Sequence, residues 1–225
     1  AVGQHAATPL STDISRYDLV LSSLPNQVDH FRRNGLQSEL LRLGFERQVL
    51  DRLAQGPKQH DLAFVGGFDA IYGEGISTLE RLAAQVPVAV WGFRIDRLSE
   101  SSALRQAFRG PAWGVDMFQA LRDARIVFNR HSDLADRLYA NNLRLYEATG
   151  VGSMLLTDWK QNLSEIFEPG HEVVAYHGAE ECVELARHYL EHPGEREAIA
   201  RAGQQRTLRE HTYGDRMREL LEIIG

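Results

Sequence analysis

Short apolar runs alternate with amphipathic stretches along most of the chain. Residues 18–22, 61–65, 87–91, 125–128, 153–156 and 172–176 are short runs dominated by apolar residues, of the length expected for strands. Between them apolar positions recur at helical spacing over 28–33, 76–83, 115–121, 143–149, 179–191, 195–209 and 213–223. Gly35 follows the first helical stretch as a stop signal. Residues 36–43 predict a further extended segment, and 104–108 fit neither period. Strands that are apolar throughout are covered on both faces, so the pattern predicts an α/β fold with a doubly wound parallel sheet. The polar stretch 55–60, broken by Gly56-Pro57, is the best linker candidate and divides 1–54 from 55–225. Such sheets bind ligands beyond the carboxyl ends of their strands. The loops to watch are therefore Gly66-Gly67, Gly92-Phe93-Arg94, Gly110-Pro111-Ala112 and Asn129-Arg130-His131, with the turn that opens the helix over 143–149.

Composition narrows the function classes. The 225 residues are 43% hydrophobic and 25% charged, with a formal charge of −6, which argues against a nucleic-acid binder with its usual basic face. The single cysteine, Cys182, excludes an internal disulfide, sits in an apolar-periodic stretch and fits a reducing, cytoplasmic setting. No run approaches the ~18 apolar residues of a membrane span, and the first residues lack the features of a signal peptide. The chain starts without an initiator Met, so a missing N-terminal part is expected.

Candidate chemistry centres on the 143–149 helix. Its cap would be Asn141 or Asn142, leaving the backbone N–H groups of 142 to 144, including that of Leu143, to face an anion. Arg144 would add a fixed cation, and Glu147, three residues on, would share its face. Spacing alone favours an intrahelical ion pair. Leu143, Leu145, Tyr146 and Ala148, however, leave no broad solvated face, and a carboxylate among them needs a partner or a ligand. Gly66 and Gly67 let backbone approach a ligand or a neighbouring domain. No G-x-G-x-x-G or Walker loop is present, which demotes nicotinamide-linked oxidoreductases and P-loop kinases. His188 and His192 have i, i+4 spacing but no third ligand beside them, and no metal site is expected.

In order along the chain, "DLAFVGGF", "VPVAVWGF", "FRGPAWGVDMFQALRDARIVFNRH" and "NNLRLYEATGVGSMLLTD" lead to a closing segment with His211-Thr212-Tyr213 and Arg216. This series resembles the C-terminal, nucleotide-sugar-binding, Rossmann-like half of a GT-B glycosyltransferase. The likeness is to the CgeB-type (spore-maturation-protein-like) group related to glycosyltransferase family four. The resemblance implies that Glu147 holds ribose hydroxyls, and that Arg144 with the amides near Asn142 and Leu143 holds the diphosphate. It places the base against Gly110, Pro111 and Ala112, and the sugar or phosphates against Asn129 and Arg130. It implies a nucleoside-diphosphate sugar donor, an unknown acceptor, no required metal or other cofactor, and a retaining hexosyltransferase. Residues 1–54 resemble the end of the acceptor-side domain, most of which is absent; the apolar face it would cover suits a second copy. One position and one stretch depart from the family pattern. Tyr139 stands where relatives often carry another Glu, and 71–75 lack a basic residue, for which Arg94, Arg97 or Arg130 would substitute. The Tyr139 departure keeps open a non-catalytic nucleotide-sugar-binding or scaffold module; a sugar-nucleotide epimerase would need acid/base residues that the sequence does not reveal.

Overall fold

The computed structural model describes residues 2–3, 14–69, 73–131 and 138–225. A three-stranded parallel sheet, β1 (Val2–Gly3), β2 (Val20–Ser22) and β3 (Ser38–Leu40), runs in that order. Helix α1 (Pro25–Arg33) connects β2 to β3. Pro25 opens α1, where its missing N–H costs nothing, and Gly35 beyond its end has φ +79°. A 3-10 turn at Arg47–Arg52 leads to the polar stretch before the larger sheet.

That sheet contains β4 (His60–Gly67), β5 (Val88–Phe93), β6 (Ala124–Asn129), β7 (Met154–Asp158) and β8 (Val174–Tyr176). All are parallel, in the order β5-β4-β6-β7-β8. Phe108 adds a one-residue parallel bridge to Val90 beyond β5. Helices α2 (Gly73–Ala83), α3 (Ala103–Gln106), α4 (Gly114–Arg122) and α5 (Arg144–Gly150) fill the crossovers. Helices α6 (Ala179–Glu191), α7 (Pro193–Glu210) and α8 (Tyr213–Ile224) close the chain.

Strand alternation builds two cores. Ala63, Val65, Val127 and Leu155 pack with Leu121, Leu145 and Ala148 on one face. Leu62, Ile126, Phe128, Met154 and Leu156 pack with Leu79, Leu82, Cys182 and Ala186 on the other. Both faces are covered, which is why the strands read as unbroken apolar runs. Among the described residues no helix is long and apolar enough to cross a membrane.

Phe45, Val49 and Leu53 belong to the larger sheet's core, and the C-terminal segment clasps this stretch. The Phe45 N–H donates to His211 O at 2.8 Å, and the Tyr213 N–H donates to Phe45 O at 3.0 Å. Arg216 Nε donates to Leu43 O at 2.9 Å, and its Nη2 donates to His211 Nδ1 at 2.8 Å. His211 therefore carries its proton on Nε2, which donates to Ile166 O at 2.9 Å. Thr212 and Asp215 form a reciprocal capping box at the start of α8. Thr212→Ala removes one half of it and should cost about 1 kcal/mol, read as a lower urea midpoint at unchanged slope. An unchanged midpoint would show that Asp215 holds the cap alone.

Candidate functional site

Strands are added to one side of β4 with β5 and to the other with β6, so the order reverses between β4 and β6, the topological switch point at which α/β sheets bind ligands. A cavity of about 390 Å³ lies there, at the carboxyl ends of both strands. Gly66 and Gly67 form its wall on the β4 side, Phe128, Asn129 and Arg130 on the β6 side. Asn141, Asn142, Leu143, Arg144 and Glu147 cover it from the start of α5. Leu24, at the head of α1, borders it from the smaller sheet.

The glycines are explained by packing around this cavity. Gly66 and Gly67 are the last residues of β4 and pair with Gly92 and Phe93. A Cβ on Gly66 would lie 2.6 Å from the Phe64 ring, and one on Gly67 would lie 2.7 Å from the Phe93 ring. A Cβ on Gly92, whose φ is +149°, would lie 1.7 Å from Gly66 O. Side chains are thus excluded where β4 and β5 approach the cavity, and the wall there is bare backbone.

Arg144 and Glu147 are both largely buried, and Arg144 Nη1 lies 2.7 Å from Glu147 Oε2. The approach is close enough to pair the charges, but it leaves Nη1 without an aligned hydrogen bond. Nη2 donates to Val65 O at 2.9 Å. Burial disfavours both charges, pushing the Glu147 carboxyl up and the Arg144 guanidinium down, and each partner's charge opposes the shift of the other. The pair is therefore both an intrahelical ion pair and part of the cavity wall.

The expected Asn cap is corrected. Leu143 occupies the N-cap position of α5, in helical conformation and without a side-chain cap. Asn142 instead reaches across to β6, where its Nδ2 donates to Asn129 Oδ1 at 3.0 Å. Asn129 passes the network on, its Nδ2 donating to Thr157 Oγ1 at 2.9 Å, while Tyr176 Oη donates to Asn129 O at 3.1 Å. Asn142 Oδ1 is buried without a hydrogen-bond partner among the described residues.

Of the three arginines considered as substitutes, Arg130 borders the cavity and pairs with Glu74 on α2. Gly75 makes room for its stem: a Cβ there would lie 3.0 Å from Arg130 Cδ. Arg94 and Arg97 instead meet at Asp69, the latter at 2.6 Å. Of the stretch 71–75, noted for lacking a basic residue, Ile71 and Tyr72 lie outside the described residues and 73–75 open α2. Tyr139 borders the cavity. Gly110, Pro111 and Ala112 do not. They follow the sheet edge beside β5, where Gly110 O accepts from Gly92 N at 3.1 Å. Next to them the exposed Trp113 stacks on Phe93, centroids 5.6 Å apart.

Sequence reasoning named His131 only as part of a strand-end loop, without a role, and did not name Asp158. Asn129 and Thr157 are register partners on β6 and β7, so the residues just beyond them are neighbours. His131 borders the cavity, and its Nδ1 lies 2.8 Å from Asp158 Oδ1. Asp158 Oδ2 lies 3.0 Å from Lys160 Nζ. Burial works against the Asp158 charge, but the hydrogen bonds and charges of His131 and Lys160 outweigh it and hold the carboxyl below its usual range. Strand-end adjacency was the signal available for this pair. Among the described residues no group of three or more His, Cys, Asp or Glu stands together as a metal ion would need.

The glycosyl transferase-like family matches residues 75–222, which takes in the cavity and the C-terminal clasp. The chain belongs to that family. No curated protein matches it. Among solved structures it is similar to HepE of Anabaena in complex with UDP-glucose, with a TM-score of 0.71 and 14% identity, over 93% of this chain and 64% of that one. Sucrose-phosphate synthase from Thermosynechococcus elongatus gives a TM-score of 0.68 and 15% identity, over 93% and 58%. The pneumococcal O-GlcNAc transferase GtfA in complex with UDP and GlcNAc gives 0.64 and 14%, over 93% and 45%. The chain thus spans about six tenths or less of the length of these proteins. At such identities the likeness shows the fold, a GT-B arrangement of Rossmann-like parallel sheets.

Proposed function

We propose that this chain is the donor-binding part of a glycosyltransferase and holds a nucleoside-diphosphate sugar in the cavity at the β4–β6 switch point. The observation that carries the reading is the buried Arg144–Glu147 pair on the wall of that cavity, in a chain of the glycosyl transferase-like family. Arg144 Nη1, which lacks an aligned partner, suits a phosphoryl oxygen, and Glu147 suits vicinal ribose hydroxyls. Arg130 and Asn129 would face the sugar or phosphates, and the backbone of Gly66 and Gly67 would allow close approach. The base would lie toward Gly110, Pro111 and Ala112. That UDP-glucose, or UDP with GlcNAc, occupies two proteins of this fold supports the ligand class.

In this reading, transfer relies on electrostatic stabilisation of the departing diphosphate, with a retaining outcome and no metal requirement. Residues 1–54 belong to the acceptor-side domain, although 45–53 pack into the larger sheet's core. The protein acts in the cytoplasm and belongs to the CgeB-type group. Tyr139 favours a second reading, a nucleotide-sugar-binding module without turnover, because it stands in the cavity where relatives often carry a carboxylate.

Calorimetric titration with UDP, GDP and their sugars should show binding, weakened about 10- to 100-fold in Glu147→Gln by loss of charge-assisted hydrogen bonds. A folded chain that binds none of these nucleotides would sink the proposal. Turnover of the bound donor in the full-length protein separates the enzyme from the binding module.

A further inference from the structure

His131 is the cavity residue whose chemistry the donor-site reading leaves unused. Its side chain is only 5% exposed, and it is held twice by one carboxylate. Asp158 Oδ1 accepts from the His131 backbone N–H at 3.0 Å and lies 2.8 Å from Nδ1. An ionised carboxylate only accepts, so the ring proton sits on Nδ1 and the ring is fixed in orientation. Nε2, across the ring, is buried and has no hydrogen-bond partner among the described residues. A buried polar atom left unpaired is costly, and such atoms in a site await a ligand or a water.

Charge decides which ligand atom suits Nε2. The cavity's arginines already have carboxylates: Arg144 has Glu147 and Arg130 has Glu74, while Lys160, behind His131, shares Asp158 with it. A diphosphate entering this balanced set brings negative charge that the pairs do not cancel. Asp158 is shared by His131 and Lys160, so the imidazole has no carboxylate to itself. Tyr176 from β8, Tyr139 on the cavity wall and Cys182, which interacts with Asp158, are also nearby, and none of them carries a group that supplies positive charge. A proton bound at Nε2 would give the ring a donor and a positive charge facing the cavity, with Asp158 behind Nδ1.

We propose that His131 is a diphosphate-binding residue, taking up a proton when the nucleotide binds and donating from Nε2 to a phosphoryl oxygen, with Asp158 as the positioning residue behind it. The inference rests on the donor-site reading above. It adds a ligand contact from the end of β6, across the cavity from α5. It also gives binding a proton linkage that a purely structural histidine would lack.

The test is calorimetry on the full chain, using the tightest binder among UDP, GDP and ADP. Titrations at one pH in two buffers of different ionisation enthalpy report protons taken up per nucleotide. The matching nucleoside, without phosphates, is titrated alongside. The wild type should take up a fraction of a proton approaching one. His131→Asn keeps an amide where Nδ1 bonds Asp158 but lacks Nε2. It should abolish the uptake and weaken the diphosphate about 10- to 100-fold while leaving nucleoside affinity unchanged. His131→Gln keeps a donor near Nε2 without the ability to charge. It should retain part of the affinity and lose the uptake, and it serves as the readout should the Asn variant unfold. Nucleotide binding with no proton uptake, or with the same uptake and affinity in the variants, overturns the His131 assignment and leaves the donor site standing. A folded wild type that binds no diphosphate overturns both.

Discussion

Replacing Glu147 with alanine should destabilise the chain by about 3–5 kcal/mol, far more than removal of a surface ion-pair partner. Glu147 is 9% exposed, and burial already disfavours the charge of the Arg144 guanidinium beside it. Deleting the carboxylate leaves that cation on a helix whose other residues, Leu145, Tyr146, Ala148, Thr149 and Gly150, are all buried and carry no charge to compensate it. The loss should appear as a lower urea midpoint. The double variant Arg144→Met with Glu147→Leu removes both charges at similar volume and should recover most of the stability, since a buried pair is replaced by apolar packing with little net cost. It should nonetheless fail to bind nucleotide. Those two readouts separate the structural role of the pair from its proposed ligand role. A Glu147→Ala chain as stable as the wild type would mean that water reaches Arg144 freely. A double variant that still binds nucleotide tightly would remove Arg144 and Glu147 from the site.

The fold was legible because the sheet is covered on both faces, which turns strands into apolar runs and fixes their number and direction. The run at 125–128 lies inside β6, that at 153–156 overlaps β7 from Met154 on, and the helical periods at 179–191 and 195–209 match α6 and α7 closely. Residues 104–108 resisted because they divide. The last residues of α3, a four-residue helix capped by Ser102, are followed by the one-residue bridge at Phe108, and neither is long enough to show a period. The start of α5 was misread for a tertiary reason. Asn142 is a good cap by type, but its amide bonds Asn129 on a strand thirteen residues earlier in sequence.

The site followed the same rule. Arg144, Glu147, Asn129, Arg130, Gly66 and Gly67 were named from positions at strand ends and one helix turn, and the switch point brings them to one cavity. Gly110, Pro111 and Ala112 sit at another strand end but one strand further out, beside β5 rather than between β4 and β6. The order of strands, which decides this, is not written in local pattern. Nor is charge pairing. Arg94 and Arg97 looked available in sequence, and in the fold both are claimed by Asp69. His131 and Asp158, 27 positions apart, become neighbours only through the β6–β7 register.

Lowering the pH from 7 to 4 should remove stability on the order of 3 kcal/mol through one residue, His211, in the C-terminal clasp. Burial is the main cause that pushes its pKa down, from 6.5 to about 4; the hydrogen bond to Ile166 opposes the shift, while Arg216 and Arg206 reinforce it. The geometry agrees: Nδ1 already accepts from Arg216 and has no room for a proton. The unfolded chain therefore binds a proton near pH 6.5 that the folded chain refuses until about pH 4. Between those values the unfolded state holds more protons, so stability rises with pH across the window and is level above it. In acid, protonation would break the Arg216 contact and loosen α8 from the segment that contains Phe45. His211→Gln, whose amide can still donate to Ile166 O, should be less stable at pH 7 yet lose less between pH 6.5 and 4. Thermal midpoints of both proteins across that range measure the difference, which cancels the other groups that titrate there. Parallel curves for the two proteins would show that His211 protonates in the folded state as easily as in the unfolded one, and the clasp would then be no acid-sensitive joint.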